Sequence, residues 1–182
     1  MRKYLYLLSL LFLSLTASAQ GQSLSQLNQG QARTLETGML VLGGWAIVNI
    51  LFSSFKLTKA TRNRKYLYQM NVYWNIINLL IASFALYVIL SRDSAALSLA
   101  ESLQLHVSFK KVLYLSLGLD FGFILLGAYL RERSRTAIKT EQLQGWGQSI
   151  ILQGAFLLLL DLVLVVLLEN YAEPLFRMVQ QG

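Results

Sequence analysis

The sequence predicts an all-α membrane protein, a bundle of four transmembrane helices read as two tandem helical hairpins behind a cleaved signal peptide. Three observations carry that prediction. Four apolar segments each approach or exceed the ~20 residues a helix needs to cross the hydrocarbon layer. Only 14% of the 182 residues are charged, well below the ~25% usual in soluble domains. The basic residues cluster in the connections beside those segments.

The elements follow in chain order. Arg2 and Lys3 precede an apolar run from Tyr4 to Leu15, which is too short for an ordinary span. Ala17-Ser18-Ala19 fits the small-x-small cleavage rule, so residues 1–19 are expected to be a signal peptide. Residues 20–37 are rich in Gln and Ser and read as an extracytoplasmic segment, a linker or a surface helix. The spans are expected at 38–55, 66–90, 112–130 and 146–168, making 38–168 one transmembrane domain. Helices satisfy their own backbone groups in lipid, and the segments lack the alternation of a barrel. Residues 93–108 read as an outer-surface helix running into the third span, with Ser94 as its cap. Residues 169–182 read as an extracytoplasmic tail.

Orientation follows from charge. The first connection holds Lys56, Lys59, Arg62, Arg64 and Lys65, and the third holds Arg131, Arg133, Arg135 and Lys139. The positive-inside rule places both in the cytoplasm and both termini outside, in the inner membrane of a bacterium. The net charge of +7 sits at these connections, which argues against nucleic acid as a partner. Membrane lipid is the expected neighbour, with a second membrane protein or another copy of the chain as a further partner. Lys56 to Lys65 could also hold anionic head groups, although setting topology accounts for it. A shift of seventy-five positions overlays Gly43 on Gly118, Lys56 on Arg131 and Asn78 on Gln153. A real duplication would place a pseudo-two-fold axis along the membrane normal, with related polar positions facing each other.

The apolar segments are not uniformly apolar. They contain Asn49, Asn71, Asn75, Asn78, Asp120, Gln153 and Asp161. A carboxylate near the bilayer centre costs ~2.5–3.5 kcal/mol on insertion scales, so these residues should turn into a polar interior. They are the candidate ligand- or ion-binding residues. Asn71, Asn75 and Asn78 fall at i, i+4 and i+7, which puts three amides on one helix face. Interhelical hydrogen bonding would explain them equally well. Trp45 and Asn49 are four apart, as are Trp74 and Asn78. Asp120 and Asp161 have no Lys or Arg at matching depth. Either would be expected to bond to Asn49 or Asn78, or to carry a proton or cation. Gly43, Gly44, Gly118 and Gly122 are the candidate helix-packing residues, since small residues let backbones approach.

Other chemistry lacks a basis. The chain has no Cys, and its one His, His106, reads as an exposed lone imidazole near the outer surface. No metal-ligand spacing and no phosphate-binding glycine loop occur. No catalytic residue, metal or cofactor is therefore expected.

The stretch Gln69-Met70-Asn71-Val72-Tyr73-Trp74-Asn75-Ile76-Ile77-Asn78, together with residues 144–160, resembles an uncharacterised family of small four-span bacterial membrane proteins. That resemblance implies the four-helix fold and brings no activity with it. Two function classes follow from the residues. The first is a non-enzymatic membrane protein that binds a partner protein or small ligand through its polar interior. The second is a proton- or cation-coupled carrier or channel using Asp120 and Asp161. A lipid-modifying enzyme with the two Asp as acid and base stands third, without a supporting motif.

Overall fold

The computed structural model of the chain describes residues 23–181. The expected signal peptide lies outside the described residues. Four α-helices make up nearly all of the rest: α1 (Leu24–Leu57), α2 (Arg62–Leu90), α3 (Leu99–Arg133) and α4 (Thr140–Gln181), with a 3-10 turn at Ser94–Ala96 before α3. All four are long and apolar enough to cross a membrane.

The helices outrun the spans that hydropathy marks. They hold 34, 29, 35 and 42 residues, or roughly 44–63 Å at ~1.5 Å per residue. Hydropathy detects only the part that lipid demands be apolar, whereas helix continues wherever caps and packing support it. Two capping boxes do so. Ser23 and Gln26 start α1, and Ser98 and Glu101 start α3, each pair satisfying two free amides reciprocally. The cap of α3 is thus Ser98. Ser94 instead opens the 3-10 turn, where the Asp93 side chain accepts from the Ala95 amide at 3.1 Å.

The described parts of the stretch expected as a linker or surface helix, and of the stretch expected as a tail, are helical extensions packed on one another. Leu27 and Leu175 are fully buried there. Thr34 and Tyr171 join their hydroxyls at 3.0 Å, and Lys110 pairs with Glu169. This is the terminal end of the bundle. The opposite, basic end carries the α1–α2 and α3–α4 connections. There Arg62 Nε meets Glu141 Oε2 at 2.8 Å and ties one hairpin to the other.

α4 is the central helix, packing against α1, α2 and α3, while α1 also packs along α2. The tightest crossing is α3 on α4. A Cβ on Gly147 would stand 2.6 Å from the Gly127 carbonyl oxygen, and one on Gly127 would stand 2.7 Å from that of Gly147. Only glycine at both positions allows this approach.

Two expectations are corrected by this packing. Gly44, Gly118 and Gly122 have nothing within 4 Å of where a Cβ would lie, and Gly43 makes only an ordinary contact with Ala82. The close approaches are made by Gly127 and Gly147, and by Gly38 against Leu164. Nor do the hairpins obey the pseudo-two-fold. α1 packs along α4, but the equivalent pair α2 and α3 meets through the Trp74–Phe123 edge contact without packing along its length. Gln153 bonds to Asn71 and Trp45, and the structure gives it no bond to its supposed counterpart Asn78.

Candidate functional site

The polar residues of the spans form two layers inside the bundle. The layer nearer the basic end centres on Asn71. Its amide nitrogen donates to Asn49 Oδ1 at 2.9 Å and to Ser53 Oγ at 2.7 Å. Its Oδ1 accepts from Gln153 Nε2 and, at 3.3 Å, from Asn75 Nδ2. Two donated and two accepted bonds exhaust what one carboxamide can make. Gln153 in turn accepts from Trp45 Nε1 at 2.9 Å. Asn49 Nδ2 closes on its own helix, at the Trp45 carbonyl. Asn71, Asn75, Gln153 and Ser53 are all buried. α1, α2 and α4 are therefore pinned in register by one network in which the Asn71 amide is saturated, and Asn71 is an interhelical clamp.

The other layer holds the carboxyls. The Asp120 and Asp161 side chains lie near enough to act on each other, with Ser116 beside Asp161. Asp120 is buried and Asp161 partly so. Two ionised carboxylates offer each other no hydrogen. Asp120 Oδ2 has no protein hydrogen-bond partner. A proton held between the two groups would relieve the repulsion of like charges in a low-dielectric interior. The expected bonds from these Asp to Asn49 or Asn78 give way to this pairing, and Asn49 belongs to the other layer.

Helix geometry explains the meeting. Ser116 and Asp120 are four apart on α3, and Gly154 lets the α3 backbone approach α4 at that depth: its Cβ would lie 3.1 Å from the Asp120 carbonyl oxygen. α2 and α4 run in the same direction, and the Asn71–Gln153 bond fixes their offset. The same offset sets Asn78 level with Leu160, one residue from Asp161. Asn78 is buried at that depth with its Nδ2 unpartnered.

Of the seven polar candidates, Asn49, Asn71, Asn75 and Gln153 are joined in one network, Asp120 and Asp161 in another, and Asn78 lies between them. Three contributors lacked notice in the sequence. Ser53 is four residues from Asn49, Ser149 four from Gln153 and Ser116 four from Asp120. The i, i+4 spacing from a recognised polar residue was the signal that would have found each. Ser149 is buried with an unpartnered Oγ.

His106 is the plainest departure. It is 1% exposed, and its Nδ1 lies 2.8 Å from Gln31 Oε1. A carboxamide oxygen only accepts, so Nδ1 carries the proton and Nε2 presents a lone pair. Nε2 and Asn28 Nδ2 are buried without partners in the terminal end. A cavity of about 20 Å³ beside Asn28 and Gln31 has room for about one water. Among the described residues no group of three or more His, Cys, Asp or Glu is placed to hold a metal ion.

The profile of a family described as a family of unknown function (DUF6992) matches residues 41–162. That stretch contains both polar layers complete, from Trp45 to Asp161. No curated protein and no solved structure matches the chain.

Proposed function

The chain belongs to the DUF6992 family, and we propose that it is a non-enzymatic integral membrane protein whose interior binds a small cationic ligand, a proton or a metal cation, at Asp120 and Asp161. The observation that carries this is the close approach of the two carboxyls inside the bundle. The Asn71 amide uses its hydrogen-bonding capacity within the bundle. The carboxyl pair does not, because it needs a positive species between its members. A proton serves, and a cation that displaces it would find carboxylate oxygens and the Ser116 hydroxyl as hard oxygen ligands.

The test is proton release from the purified protein in weakly buffered detergent on addition of Na⁺, K⁺, Ca²⁺ or Mg²⁺. A bound cation expels the shared proton, and Asp120→Asn and Asp161→Asn should each abolish the release. No release with any of the four would refute metal binding and leave the proton as the ligand.

A second reading couples this site to flux across the membrane. It is favoured by the position of the pair, on two helices that cross the bilayer. Proteoliposomes carrying a pH-sensitive dye should then show cation-driven proton movement that either Asp→Asn change removes. In this account the protein sits in a bacterial inner membrane with its basic end in the cytoplasm, as Lys56 to Lys65 and Arg131 to Lys139 support. A partner protein remains the other occupant to test. Native mass spectrometry after mild extraction would detect it as a stoichiometric added mass.

A further inference from the structure

We propose that a thread of water enters the bundle from the basic end, passes Trp146, Ser149, Asn75 and Asn78, and stops at the Asp120–Asp161 pair. The proposal rests on the pair being a proton or cation site, and it adds which side reaches it.

The first support is a set of unpartnered polar atoms. Trp146 Nε1, Ser149 Oγ, Asn75 Oδ1, Asn78 Nδ2 and Asp120 Oδ2 are all buried without a protein hydrogen bond. Ser149, Asn75, Asn78 and Asp120 are each at most 3% exposed. Native interiors leave few such groups, and a buried water satisfies them by making about three hydrogen bonds.

The second support is their order. Trp146, Ser149 and Gln153 fall at i, i+3 and i+7 on α4, which is one face. Asn75 and Asn78 continue that face's level along α2, in the register set by the Asn71–Gln153 bond. The unpartnered atoms flank the Asn71–Gln153 level, Trp146 and Ser149 on its basic-end side and Asn75, Asn78 and Asp120 on the side of the carboxyl layer. They include donors and acceptors, as a chain of waters requires.

The third support is what lies beyond the pair. Three residues toward the terminal end from Asp161 is Leu164, and three from Ser116 is Leu113. With Leu35 and Leu168 these form a buried apolar cluster. Waters need two to four polar partners each, and this cluster offers none. The carboxyl pair is therefore wetted from the basic end and sealed from the terminal end.

The test is infrared spectroscopy of the shared carboxyl proton after transfer of the reconstituted protein to D2O. Exchange within the mixing time is expected. Ser149→Leu, which fills the thread and removes a partner, should slow exchange by about tenfold or more. Leu168→Met, in the seal, should leave it unchanged. A carboxyl proton protected for hours in the unaltered chain would overturn the proposal without any variant. Sidedness is read separately, because the chain has no Cys. A thiol at Asn78→Cys should never be labelled by a small impermeant methanethiosulfonate added at the terminal end, and labelling from there would overturn the seal. The outcomes separate from those of the binding reading. Fast exchange without any cation-driven proton release leaves the water thread standing and removes metal binding. Cation binding with a protected proton removes the thread alone.

Discussion

Asn71 and Asp161 are both polar residues in apolar helices, yet they should behave differently under substitution. Asn71→Ala strands Asn49 Oδ1, Ser53 Oγ, Gln153 Nε2 and an Asn75 hydrogen at once. Each unpaired buried group costs about 1–3 kcal/mol, so the loss should far exceed the ~0.6 kcal/mol average of one interhelical bond. Asn49→Ala removes a single partner and should stay near that average. Unfolding in mixed micelles compares the two directly, and equal losses would show that Asn71 is not the hub. Asp161→Asn should unfold like the parent, since a carboxamide can still bond to Asp120. The sequence foretold the polarity of this interior and the shared face of Asn71, Asn75 and Asn78. It could not foretell which amide would be saturated, because that depends on which helix supplies Gln153.

His106 gives a residue-scale prediction with a sign. It lies on α3 outward of the expected third span. Burial disfavours the charged ring and holds its pKa below the usual imidazole range, Lys110 adds to that, and Glu169 opposes it. The folded chain therefore takes up a proton less readily than the unfolded one. Stability is full above about pH 6.5, the ordinary His value, and falls as pH drops through and below it. His106→Gln should flatten that decline in a thermal melt across pH 7 to 5. A steeper decline in the variant would contradict the assignment. The sequence misled here because a lone His beside polar residues has no periodicity to reveal its burial. Its partner, Gln31 of α1, is brought there by the fold from seventy-five residues away.

At the scale of the element, the α3–α4 crossing decides which glycines matter. Gly147→Ala forces a methyl onto a backbone carbonyl, which cannot yield as a side chain would. Overpacking of this kind typically costs about 1–3 kcal/mol. Gly118→Ala and Gly122→Ala meet open space and should change stability by less than about 0.5 kcal/mol. Thermal unfolding of the three variants in detergent checks this, and a large loss at Gly118 or Gly122 would show that a second helix packs there. The small-xxx-small spacing in the sequence pointed to the wrong pair. Such a motif marks a face that can be approached, while the approach itself is set by what the neighbouring helix carries. Gly127 found its match in Gly147, and Gly118 found none in this chain. The helices themselves were legible from hydropathy, although their ends were not. Capping boxes at Ser23 and Ser98 carry them beyond the lipid, and the second was readable as Ser98-Leu99-Ala100-Glu101.

At the scale of the whole molecule, the four helices divide the bundle into zones along its axis. A basic end where Arg62 meets Glu141 on the surface leads to the Asn71 clamp, then to the carboxyl layer, then to an apolar seal and the packed terminal extensions. The helix count follows from the sequence, because it depends on local hydropathy. The meeting of Asp120 with Asp161 does not, because it joins residues on different helices at a depth that only packing sets. Their contact is the central claim, and the infrared carbonyl band of a protonated carboxyl tests it most directly. At neutral pH the parent chain in lipid should show one such band, and Asp120→Asn and Asp161→Asn should each remove it, since the proton belongs to the pair. A spectrum without that band, or a band that survives one substitution and not the other, would mean that the two carboxyls do not share a proton.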